Sequence, residues 1–469
     1  MQTTAFLIFL IVFMTVGFLS TRGRKSNSTE YLLADRETPA ILVALSAAAT
    51  KYSGYMYIGL IGYIYTFGLS AIWIVLGFIT GDAIALFTVQ KKLRQETART
   101  NALSFADLIS RWHYGDYRKL KLAIGIVSLV FLSTYAAAQF NAGGKALQAL
   151  FGWDYRVGSA LGALFILSYS LTGGLRASIW TDVVQSVVMI VVLAMLFSAV
   201  LNSIGGTSEW LAQLATISPS YLDLGYERFG SITALLLFAS GWLFNGIGVV
   251  GQPHIMVRLM AMNPSASSLK AGIYYFFWSA LFLALVIAVG LSTRLVLGDL
   301  NNFDAELALP HLAQALLPSL AVGVMLAGIF AAVMSTTDSQ ILSCSAVLSE
   351  DFKIARSVTS KRLVTLVVTC FSLMIALFAS SNVFTLVVFA WSALATAIAP
   401  LVIVHALGQR PSENLALTMM AAGLATGFIW RSVGLSSAIY ECLPGILAGL
   451  LVFLSGSFLI PTKTSLKTP

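Results

Sequence analysis

The chain has 469 residues, is 58% hydrophobic and carries only 10% charged side chains, with a mean hydropathy of +0.86. A soluble domain carries roughly a quarter charged residues, so these values exclude that class and point to a polytopic protein solvated by lipid. The net charge of +8 does not mark a nucleic-acid binder, because most basic residues fall in alternate connections between apolar segments. Cys344, Cys370 and Cys442 lie in apolar segments at no metal-ligand spacing, which argues against a disulfide or a zinc site.

About thirteen apolar segments follow one another, most near the ~20 residues that cross a bilayer. The first, about 3–19, has no basic residue ahead of it, so it reads as an uncleaved helix that starts outside. The second, about 39–66, is interrupted at Thr50-Lys51-Tyr52-Ser53-Gly54. The fourth carries Thr134-Tyr135, a phenol with a polar tip inside an apolar run, which suits either a solute pocket or aromatic packing. The sixth opens with Trp180-Thr181-Asp182. The seventh, about 231–250, is interrupted at Asn245-Gly246-Ile247-Gly248. The ninth places Ser335-Thr336-Thr337-Asp338-Ser339-Gln340 in an otherwise apolar helix. Two further segments, about 412–460, close a single transmembrane domain over 1–469. No attached enzyme or kinase domain is expected, since the connections at about 205–230 and 294–312 are too short for one.

Alternate threading puts the N-terminus outside and the C-terminus in the cytoplasm of a cell (inner) membrane. The inner connections then hold Arg22, Arg24, Lys25, Arg36, the basic run from Lys91 to Lys121, Arg176, Arg258, Lys270, Lys353, Arg356, Lys361, Arg362, Arg410, Lys463 and Lys467. The outer side keeps Lys145, Arg156, Arg228, Arg294 and Arg431. This is the positive-inside bias, and it accounts for the basic balance.

The two interruptions matter most. Hydrocarbon penalises unpaired backbone groups, so a broken spanning helix survives only beside a polar cavity within the protein. A pair of broken helices, one in each half, points to the central site of a secondary transporter. Ionisable residues inside spans are costly and are candidates for function: Lys51, Asp82, Asp182, Asp338 and Glu441. Asp182 reads either as a helix-terminal carboxylate or as part of an ion path. Asp82 and Glu441 read as interface or packing groups rather than as functional ones. Hydroxyls at Ser335 and Thr336 suit a small hard cation, against the alternative of bonds to their own helix.

These residues resemble the sodium/solute symporters, most closely the sodium/proline branch. The matching pieces are Leu45-Ser46-Ala47-Ala48-Ala49 with Ser53-Gly54, Gly173-Gly174-Leu175-Arg176 with Trp180-Thr181-Asp182, Gly251-Gln252-Pro253-His254, and Ala332-Val333-Met334-Ser335-Thr336. The resemblance implies an all-α, leucine-transporter-like fold. It would comprise two five-helix inverted repeats, about 39–205 and 229–406, with one extra helix before and two after. It implies a sodium site built from the carbonyls of Ala49, Tyr52 and Ala332 and the hydroxyls of Ser335 and Thr336, with Asp182 near the inner ion exit. It also implies a solute pocket at Ser53, Gly54, Tyr135 and Gly323. The chain departs from the proline branch at Asn245 and Val249, where that branch has tryptophan and tyrosine, and Trp242 one turn earlier is a candidate replacement. It departs again at Lys51, where the branch has aspartate.

Lys51 is read either as a tethered cation paired with Asp182 or Asp338, able to couple transport to protons, or as a side chain that snorkels away and leaves the sodium ligands intact. The expected activity is cation-coupled symport, by sodium or alternatively protons, of a small organic solute such as an amino acid or carboxylate. The partners are that solute and the lipid bilayer, with no enzyme cofactor and no nucleic acid. A transporter-like sensor is the rival class. His113, His254, His311 and His405 form no catalytic grouping, and His254 reads as a structural cap, so no enzyme is expected.

Overall fold

The computed structural model describes residues 1–22, 27–299, 303–378 and 382–459. Among them the fold is all helix, apart from an isolated bridge between Thr38 and Met262. Arg24, Lys25, Lys463 and Lys467 lie outside the described residues. The principal helices are α1 (Gln2–Ser20), α2 (Ala40–Lys51), α3 (Ile61–Phe67), α4 (Ile72–Thr100) and α5 (Arg118–Phe151). They continue as α6 (Tyr155–Ile204), α7 (Ile232–Ile247), α8 (Pro253–Met260), α9 (Ser268–Leu297) and α10 (Ala308–Leu316). The remainder are α11 (Ser319–Ala346), α12 (Val358–Phe378), α13 (Val383–Ala406), α14 (Glu413–Ser432) and α15 (Cys442–Leu459).

Nine helical stretches among the described residues are long and apolar enough to cross a membrane. Three shorter apolar helices accompany them: α2, the first limb of α6 (Tyr155–Ser168) and most of α15 (Cys442–Ser457). The fifth and sixth apolar segments are two limbs of one bent helix, α6, which turns at Gly174 (φ 54°, ψ −143°). Only glycine takes that conformation easily, and a Cβ there would strike the Tyr31 carbonyl.

Both expected interruptions are present. α2 ends at Tyr52 (φ −87°, ψ 76°), and a wide π turn over Met56–Leu60 leads into α3. Gly54 sits in the gap because a Cβ would come within 2.8 Å of Val333 on α11 and 3.1 Å of Ala142 on α5. The second interruption falls later than expected. α7 stays helical through Ile247, a 3₁₀ turn covers Gly248–Gly251, and Gln252 is extended ahead of Pro253 at the start of α8. Packing explains the delay. Gly246 lies directly against the Phe78 carbonyl of α4, which holds α7 in register, and the residue that forbids continuation is the proline.

The two broken helices are joined at one end. The Thr38 amide donates to the Ala261 carbonyl (3.2 Å), and the Asn263 amide donates to the Thr38 carbonyl (2.8 Å). α11 lies at the centre, buried without interruption from Met325 to Ala346. The periphery shows the reverse pattern: α12 turns Leu363, Val367, Phe371, Met374 and Phe378 outward, a stripe suited to lipid.

Candidate ion and solute site

Where α2 stops, its last carbonyls lose their helical donors. The Gly54 amide donates instead to Gln139 Oε1 of α5 (2.9 Å), so the Thr50 carbonyl is released from the helix. α11 meets these groups with hydroxyls. Ser335 Oγ donates to the Ala49 carbonyl (3.0 Å) and the Ala332 carbonyl (3.1 Å), and Thr336 Oγ1 donates to the Thr50 carbonyl (2.9 Å). All of these residues are fully buried. The result is an oxygen-only donor set of the kind that suits a hard monovalent cation. Tyr52 stands at the break, its ring tilted between Trp278 (5.8 Å between centroids) and Phe282 (5.4 Å).

Asp182 reaches the same junction from α6. Its Oδ2 accepts from Ser46 Oγ (2.6 Å) and from Thr50 Oγ1 (3.4 Å), while Oδ1 has no hydrogen-bond partner among the described residues. The structure adds a residue that was placed in an inner connection: Arg258 of α8 is completely buried. Its Nη2 lies 3.4 Å from Asp182 Oδ2 and 3.9 Å from Asp338 Oδ1, donates to Ser178 Oγ (2.6 Å), and also bonds Ser339. Asp338 Oδ1 in turn accepts from Ser178 and Ser339, each at 3.0 Å. Two carboxylates share one guanidinium here, a formal sum of −1 if all are ionised. A proline-led helix start disguised Arg258 in the sequence, because eight residues of α8 look like the end of a span when read linearly.

Lys51 pairs with neither Asp182 nor Asp338. Its ammonium forms a fully buried ion pair with Asp82 of α4 and lies 3.9 Å from the Phe78 ring centroid. Tyr275 of α9 donates to the same Asp82 oxygen (2.7 Å). Asp82 is therefore a charge partner, and the reading of it as a packing group is corrected. A lysine that stays charged in such an interior needs a counter-ion, and Asp82 on α4 supplies one. Glu441, also read as an interface or packing group, accepts from Arg431 (2.7 Å) and from Ser392 of α13 (2.9 Å).

Beside this pair is a narrow central cavity of about 20 Å³, water-sized, whose wall includes Lys51, Tyr55, Phe78, Tyr135, Trp242, Asn245, Trp391 and Tyr440. Tyr135 of α5 stands between the two helix breaks. Its hydroxyl is 3.5 Å from Ser53 Oγ, and its ring meets His254 edge-on at 5.7 Å. His254 is thus wholly buried behind the pocket wall and is not an end cap, although its carbonyl does accept from Arg258 (3.0 Å). Trp242 stacks on Tyr440 (4.7 Å, 4°). Asn245 receives Trp391 Nε1 at its carbonyl (3.1 Å) and Cys442 at its Oδ1 (3.6 Å). Gly323 does not belong to this group. It faces α1, against the Gln2 carbonyl and Ala5, where a small residue lets two helices touch. Sequence reasoning missed Trp391 and Tyr440, whose apolar surroundings carry no periodic or polar signal.

Comparison with known proteins fits this geometry. The model of the family described as "Sodium:solute symporter family" matches residues 31–423. The chain belongs to that family. It is 32% identical to the sodium/proline symporter of Escherichia coli (strain K12) over 461 residues, covering 95% of this chain and 90% of the relative. It is 31% identical to the high-affinity proline transporter PutP of Bacillus subtilis (strain 168) over 451 residues, covering 93% and 94%. Among solved structures, a Na+-coupled sialic acid symporter in a substrate-bound outward-open state superposes with a TM-score of 0.82 at 18% identity over 98% of both chains. Mhp1, a nucleobase-cation-symport-1 family transporter, gives 0.61 at 15% identity, over 92% of this chain and 95% of that one. These two likenesses identify the fold as that of the leucine-transporter-like symporters.

Proposed function

We propose that this symporter moves a small organic solute, an amino acid such as proline or a related carboxylate, together with sodium by alternating access. One observation carries the reading: the hydroxyls of Ser335 and Thr336 bond to the carbonyls that α2 releases where it breaks, next to a carboxylate at Asp182. A cation entering that junction would take Ser335, Thr336 and the carbonyls of Ala49, Tyr52 and Ala332 as ligands and tie α2 to α11. The solute would occupy the adjacent cavity at Tyr135, Trp242 and Asn245, with Ser53 and Gly54 at the helix break behind Tyr135. Asp182, with Asp338 beside it, would form the ion's route inward.

Coupling needs no chemistry on the solute. Each ligand shifts one conformational equilibrium through its differential affinity for the two states, so each raises the other's affinity. The inverted repeats at about 39–205 and 229–406 would supply the two bodies that rock against each other. The charge distribution supports an N-terminus outside and a C-terminus in the cytoplasm of a cell (inner) membrane. Because Lys51 is held by Asp82, away from the hydroxyl junction, the geometry favours sodium over a lysine-borne proton as the coupling ion. The test is uptake of radiolabelled solute by proteoliposomes at fixed pH. Replacing sodium by choline should abolish accumulation, and undiminished uptake rejects the reading.

A further inference from the structure

The charge lining the cavity has a sign. Lys51 reaches its wall, whereas no Asp or Glu does among the described residues. Asp82 stands behind the lysine, with one oxygen taken by Lys51 and Tyr275 and the other enclosed. The charged residue on the wall that a solute in this cavity would find is therefore a lysine. The rest of the wall is aromatic and aliphatic: Phe78, Trp242, Trp391 and Tyr440, joined by Leu60, Ile74 and Leu283.

We propose that the solute is an organic monocarboxylate with an apolar body and no ammonium group, and that Lys51 is the residue that selects it. The inference rests on the symport reading above and narrows its solute. A carboxylate placed against Lys51 gains a charge-assisted hydrogen bond while its hydrocarbon portion fills the aromatic wall. The ammonium of a zwitterion gains nothing comparable. The Phe78 face, which is the natural cation-π partner, already carries the Lys51 ammonium, and like charges repel in this low-dielectric interior. Asp82 pairs with Lys51 and orients it, and Tyr275 holds Asp82 in turn. These two are positioning residues, and Lys51 touches the solute.

The experiment uses the purified full-length chain and pairs of probes matched in shape: cyclopentanecarboxylate against proline, 3-methylbutanoate against valine, and 3-phenylpropanoate against phenylalanine. Affinity is read by thermal stabilisation in detergent with and without sodium chloride. At least one deaminated acid is expected to bind tenfold or more tightly than its amino acid, the range of one charge-assisted hydrogen bond. Lys51→Gln combined with Asp82→Asn removes both charges without leaving either unpaired, and should erase the preference. Lys51→Arg should keep it. Equal or tighter binding of the amino acid in all three pairs, or binding of none of the six probes, overturns the inference, as does a preference that survives the neutral double variant. Stabilisation by sodium alone is scored separately. If it persists while the preference fails, the carrier reading stands and only the solute class is lost.

Discussion

Two buried polar groups flank the same break in α2, and they are balanced differently. On the α11 side, Asp182 and Asp338 share the single guanidinium of Arg258, and hydroxyls from Ser46, Thr50, Ser178 and Ser339 fill in around them. On the α4 side, Lys51 and Asp82 cancel one for one, with Tyr275 as the one further donor to the carboxylate among the described residues. With both carboxylates ionised, the first side carries a surplus negative charge that draws a cation, while a neutral pair presents its outer member to whatever lies in the cavity. On the proposed reading one break would serve two ligands, because the formal charge on its two sides is unequal.

The sharpest way to break this comparison is to unbalance the neutral side. Lys51→Met leaves Asp82 buried without its counter-ion and should lower stability by about 3–5 kcal/mol, whereas Lys51→Met with Asp82→Asn should cost less than about 2 kcal/mol. Denaturation of the purified variants in detergent checks this, and equal losses in the single and double variants would show that the pair is not coupled. Next in size is the hydroxyl junction. Ser335→Ala with Thr336→Ala removes two neutral oxygen ligands and should raise the sodium concentration for half-maximal uptake by tenfold or more, about 1.4 kcal/mol or above. Solute affinity at saturating sodium should change much less, and a sodium titration in proteoliposomes separates the two.

A smaller effect is expected at the residue that stands between the breaks. Tyr135→Phe removes the hydroxyl near Ser53 but keeps the ring against His254, so solute affinity should fall only about threefold to tenfold, in line with one neutral hydrogen bond. Tyr135→Ala should fall further, and uptake kinetics for the two variants would sharpen which part of the side chain matters. The smallest effect is a control. Ser412 caps α14 by accepting from the Leu415 amide (3.3 Å). Ser412→Ala should cost about 1 kcal/mol of stability and leave sodium dependence and solute affinity unchanged. A change in either would mean that α14 is linked to the site.

Much of the site was legible from residue types alone, at positions where a local rule is strained. A lysine, two serines, a threonine and aspartates inside apolar runs violate the ordinary pattern of a spanning helix. The same violation marked the break near Ser53-Gly54. What stayed hidden obeyed its local pattern. Trp391 and Tyr440 are ordinary aromatics in apolar segments, and Arg258 follows a proline where a span would be ending. The error at Gly323 has the same origin, since a glycine in a helix can serve a pocket or a helix contact and only the neighbour decides.

By itself the chain determined that it spans a bilayer, that two of its helices are interrupted, and that hard oxygen donors accompany the first interruption. Hydrophobicity and backbone satisfaction are local in sequence, so they can be read without a fold. The tertiary structure alone decided which charges meet. Lys51 pairs with a residue on α4 and not with α6 or α11, and Arg258 enters the interior from α8. Ion pairing in a low-dielectric core depends on ångström distances between helices far apart in sequence, and no spacing rule along the chain encodes them.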